Sequence, residues 1–125
     1  MATDDPHPSI ENVANVDARL TDLINAFEAH PLMQEAQPHP TIFFLLDFIR
    51  NTRRMLQAID ADKLRDGDSE SVAKAKDVTS RNMFTLVLVN DTTGKLALMT
   101  GGDPTSPVDF GDDIRGKAEA LSNEP

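Results

Sequence analysis

Apolar residues recur in the first quarter of the chain at Ile10, Val13, Val16, Leu20, Leu23 or Ile24, and Phe27. Steps of three and four put them on one stripe of a helix, so the spacing predicts a helix from about residue 9 to residue 30. Ser9 suits its N-cap and Glu11 sets negative charge at the positive end of its dipole. Pro31 disfavours helical dihedrals at His30 and ends it. A second helix is expected from about residue 41 to Gly67, a residue free to take the positive φ that closes helices. Ile42, Leu45, Ile49, Leu56 and Ile59 form its seam, while Phe44, Phe48 and Met55 widen that seam beyond what one partner helix covers.

The pattern then weakens. Asp68 or Ser69 can cap a shorter third helix, 69–81, with only Val72, Ala75 and Val78 as apolar positions. Residues 83–90, "MFTLVLVN", are rich in β-branched and large apolar side chains, "NDTTG" carries turn chemistry, and 95–100 resumes an apolar pattern. That combination predicts a β-hairpin. Met83, Thr85, Val87 and Val89 would point to one face and Phe84, Leu86 and Leu88 to the other, leaving an apolar face for something else to cover. The expected fold class is therefore α+β: an antiparallel helical hairpin of two long helices, with a short third, followed by a C-terminal β-hairpin.

Three regions follow from the same pattern. Residues 1–8 read as a flexible arm, 9–100 as a single α+β domain, and 101–125 as an acidic tail with four glycines and three prolines, to be ordered by partners. Within the tail, Val108 and Phe110 suit a brief strand and 112–121 a weak helix broken at Gly116.

Composition narrows the function. The net charge of −9 is carried mostly by the ends, with a neutral-to-basic middle, so the clustered basic surface that nucleic-acid binding requires is lacking. The longest apolar run, 42–46, is far too short to insert in a membrane. With no cysteine there is no disulfide or thiolate chemistry. The N-terminus has neither the basic start nor the apolar run of a secretory signal, which places the chain in the cytoplasm or in a particle assembled there.

Candidate chemistry is sparse. Each of the three histidines, His7, His30 and His39, precedes a proline. They read as punctuation between helices, since a zinc site would need further tightly spaced ligands than Glu28 or Glu35 can supply. The acid-rich runs "TDDP", "DADKLRDGD" and "FGDD" do not fit the twelve-residue calcium loop. Asp47 near Arg50 is the single acid/base candidate, without a nucleophile or cofactor motif beside it. Neither catalytic residues, a metal nor a cofactor is expected.

The features left over are apolar and basic. Phe44, Phe48, Phe84, Leu86, Val87, Leu88, Leu96 and Leu98 are the expected interface residues, and Arg50, Arg53 and Arg54 a charged contact patch whose planar forks suit carboxylates. The function they imply is non-enzymatic. It is that of a structural subunit of a viral particle or other large complex, which self-associates or docks on protein partners through the hairpin and a helix face. The competing reading is a small acidic chaperone or immunity-type inhibitor for a basic client.

Overall fold

The computed structural model describes residues 13–34 and 40–123. The expected arm, the Ser9 cap, Glu35, and the histidines at 7 and 39 lie outside them. Among the described residues six α-helices follow in order: α1, Val13–Glu28; α2, Pro40–Gln57; α3, Ala61–Arg65; α4, Ser69–Val89; α5, Lys95–Met99; and α6, Asp112–Ser122. A single 3₁₀ turn, Pro31–Met33, follows α1, and the His30 ring nitrogen Nδ1 accepts the Leu32 N–H that opens it.

The four long helices close a ring in which α1 packs on α2, α2 on α4, α4 on α6, and α6 back on α1. Cross-helix pairs fix their directions. Thr52 meets Arg81 while Phe48 meets Phe84, and Asp22 meets Lys117 while Phe27 meets Phe110. Rising numbers on one helix face falling numbers on its neighbour, which is the arrangement of an up-down-up-down four-helix bundle. One core fills it, drawn from Val16, Leu20, Leu23 and Phe27 of α1, Ile42, Leu45, Leu46, Ile49 and Leu56 of α2, Ala75, Val78 and Val89 of α4, and Ile114, Ala118 and Leu121 of α6. Helix α6 lies inside the segment 101–125, and it runs through Gly116 without a break.

The expected β-hairpin is absent: no strand occurs among the described residues, and 83–89 is the last two turns of α4. The reason lies upstream. Asp68 caps the helix by accepting the Ser71 N–H at 3.1 Å. No glycine or proline interrupts the sequence from there to Gly94, so propagation continues through the β-branched run at a cost of only tenths of a kcal/mol per residue. Ser71, Ala75, Val78, Asn82, Thr85 and Val89 are all buried, and their alternating steps of four and three carry one helical stripe through the whole segment. The turn chemistry of "NDTTG" is present, but it joins two helices. Asp91 accepts the Thr93 and Leu96 N–H groups, and Gly94, at φ +79°, leads into α5.

The second long helix also differs from expectation, stopping at Gln57 rather than near Gly67. Asp60 turns its carboxylate onto the N–H groups of Asp62 and Lys63, at 3.0 and 3.2 Å, and so caps a separate short helix. Gly67, at φ +81°, ends that one.

Candidate association surface

The eight expected interface residues divide between the inside and the outside of the bundle. Leu88 and Leu96 are core residues, and Leu86 is half-buried against the core. Phe84, Val87 and Leu98 are exposed, with Phe44 at the margin and Phe48 half-buried. No ribbon connects them. Helical geometry does, because α2 and α4 lie side by side.

Three phenyl rings bridge the seam between those helices. Phe44 and Phe48 stack with centroids 6.3 Å apart, and Phe84 meets Phe48 edge-on at 5.8 Å. Arg81 locks the group. Its guanidinium carbon lies 4.1 Å from the Phe48 ring centroid, and its Nε donates to Thr52 Oγ1 at 2.9 Å. Beside Phe84, Met83 is 56% and Val87 63% exposed, so apolar surface continues from the α2–α4 seam over the outer side of α4. Phe43 is exposed as well, but one residue along a helix is a turn of about 100°, which points it away from this cluster toward the α1 side. Leu98 and Met99 lie at the end of the bundle, where the hydroxyls of Thr100 and Thr41 meet at 2.9 Å.

Sequence reasoning does not single out Met83 or Arg81 as site residues. Their signal is available: Ala73, Lys76, Ser80, Met83, Val87 and Asn90 repeat at steps of three and four, and all six are exposed. Helix α4 thus carries two seams, one facing the core and one facing outward.

Charge is partitioned in the same way. Helices α2 and α4 together hold six bases (Arg50, Arg53, Arg54, Lys74, Lys76 and Arg81) against three acids. Helices α1 and α6 together hold six acids against three bases. The expected arginine patch is already engaged: Arg50 pairs with Glu28, Arg53 Nε donates to Asp17 at 2.9 Å, and Arg54 donates to Asn51. With Ile24 beneath them these arginines line an open groove of about 400 Å³ between α1 and α2. On the acidic side Lys117 lies between Asp22 and Asp113, and both raise its pKa above the ordinary lysine value.

Asp47, the one acid/base candidate, is exposed and paired with Asn51, while its expected neighbour Arg50 turns to Glu28. Asp109 accepts from the Gly111 N–H and from Arg115, which together hold its carboxyl below the usual aspartate value. No group of three or more His, Asp or Glu side chains is placed to hold a metal ion among the described residues, and no helix there is long and apolar enough to cross a membrane. Comparison of the chain with protein-family models, with curated proteins and with solved structures gave no match.

Proposed function

We propose that this chain is a non-enzymatic assembly subunit whose α2–α4 face binds a second copy of itself. The observation that carries the reading is the exposed apolar surface of Phe44, Phe84, Met83 and Val87 around the half-buried Phe48. Aromatic residues and methionine are enriched at the buried centres of protein interfaces. Charge permits a second copy as the occupant, because Arg50 and Arg53 of the base-rich α2 are already paired with Glu28 and Asp17 of the same chain. Two α2–α4 faces can meet while the acid-rich α1–α6 sides of a chain with net charge −9 point away from each other. Exposed large apolar side chains are found on α2, α4 and α5 but not on α1 or α6 among the described residues, so a face that pairs with its own copy covers both apolar surfaces at once.

The alternative, a basic client on the acidic side, has less support. Asp17, Asp22, Glu28, Asp112 and Asp113 there are already paired with arginine or lysine of the same chain. The test is the solution mass by light scattering at low and high salt. An apolar interface gives a multiple of 13.7 kDa that persists in high salt. A monomer under both conditions removes the reading.

A further inference from the structure

We infer that two copies join through antiparallel packing of their α4 helices, with Met83 of each seated against the other copy's Val87. The inference rests on the self-association reading and adds its geometry. The outward seam of α4 is Ala73, Lys76, Ser80, Met83, Val87 and Asn90, all exposed and at heptad spacing. Its large apolar members Met83 and Val87 lie one helical turn apart, and apolar side chains at this spacing pack on an equal pair by inserting knobs into holes.

Direction is decided by what each layer would hold. In a parallel pair every residue meets its own copy, so Lys76 faces a second Lys76 and two ammonium groups share a layer. In an antiparallel pair centred near residue 85, Met83 layers with Val87 of the other copy and Ser80 with Asn90, an apolar pair flanked by a hydrogen-bonding one. Lys76 then falls beside the turn that carries Asp91 in the other copy. That turn also carries Lys95, so it is close to neutral and spares Lys76 the like charge of its own copy. Antiparallel helix dipoles add to the preference. The Phe84 ring, next to Met83 and the centre of the pair, is covered at the same time.

The chain contains no cysteine, so introduced thiols report the geometry without interference. Ser80→Cys and Asn90→Cys both replace exposed side chains, and Asn90 closes α4 through its backbone N–H, which the substitution keeps, so neither threatens the fold. In the antiparallel pair, position 80 of one copy and position 90 of the other share a layer, which brings one thiol of each variant together. Two copies of the same variant hold their thiols roughly 15 Å apart along the axis, at 1.5 Å per residue. Disulfides require Cα atoms within about 7 Å. Under mild oxidation the mixture of the two variants should give covalent dimer and neither variant alone should.

Self-crosslinking of each variant on its own would show a parallel pair and overturn the arrangement while leaving self-association standing. Absence of any crosslink in a protein whose mass exceeds a monomer would move the interface off α4. A monomeric mass before oxidation would remove the proposed function itself, and this inference with it.

Discussion

Arg81 lies over Phe48, its guanidinium carbon 4.1 Å from the ring centroid, while the same side chain donates to Thr52 Oγ1 at 2.9 Å. Two helices are tied by one residue that uses both its charge and its donors. Thr52 is fully buried and passes the bond on, donating to the Phe48 carbonyl at 2.9 Å.

Replacing Arg81 by Ala should therefore cost about 1–2 kcal/mol, the combined scale of a cation–π contact and one net hydrogen bond. Arg81→Lys should recover only part of this, because an ammonium lacks the planar group that lies over the ring. Urea denaturation of the three proteins checks the order, and a lysine variant as stable as wild type would contradict it.

Leu86 and Val87 are neighbours in sequence with opposite surroundings. Leu86 packs against the core, and Val87 is 63% exposed. Leu86→Asp buries an unpaired carboxylate and should destabilise the fold by more than about 2 kcal/mol. Val87→Asp should leave thermal unfolding of the monomer within about 0.5 kcal/mol and abolish self-association. Equal effects of the two on circular dichroism would mean that α4 is not oriented as described.

Gly94 cannot be replaced without moving the loop above it. A Cβ there would lie 2.6 Å from the Pro104 carbonyl carbon, and its φ of +79° disfavours other residues independently. Gly101 also has positive φ, but a Cβ there meets nothing within 4 Å. Gly94→Ala should lower stability by clearly more than the roughly 1 kcal/mol expected of Gly101→Ala, measured by chemical denaturation.

Acid should weaken the fold through its Asx turns and caps. Asp68, Asp91, Asp103 and Asp109 all have carboxyls held below the usual value, chiefly by hydrogen bonds from Ser71, Leu96, Thr105 and Gly111. A depressed folded-state pKa contributes stability that is complete above the unfolded value, near pH 4, and is lost as pH falls through the folded value. The denaturation midpoint should be flat from pH 7 to about 5 and drop below pH 4. Asp91→Asn should reduce that drop, and an unchanged slope would show that the Leu96 bond does not form in solution.

Helix α1, the start of α2 and the turn at Pro31 can be read directly, because Val16, Leu20, Leu23 and Phe27 of α1 and Ile42, Leu45 and Ile49 of α2 mark one face at helical spacing. The misreading at 83–90 has a specific cause. The inner seam of α4 is polar in its middle: Thr79, Asn82 and Thr85 are buried there, and Thr79 Oγ1 and Asn82 Oδ1 lack hydrogen-bond partners among the described residues. A helical stripe interrupted by threonine and asparagine scores poorly beside an uninterrupted β-branched run, and only burial by the three neighbouring helices decides between them. The excess apolar surface of this segment is legible from composition, but its direction is not. Leu88, Leu96 and most of Leu86, expected at an interface, are taken up by the core, whereas Met83 faces solvent.

Hydroxyl-radical footprinting of the wild-type chain at high and at low protein concentration reads the α2–α4 face most directly. Met83, Phe84 and Val87 should be labelled several-fold less at high concentration, with Ala18 and Glu119 on the opposite side unchanged. Equal labelling of Met83 and Phe84 at both concentrations, under conditions where the mass exceeds that of one chain, would place the contact elsewhere and contradict the account.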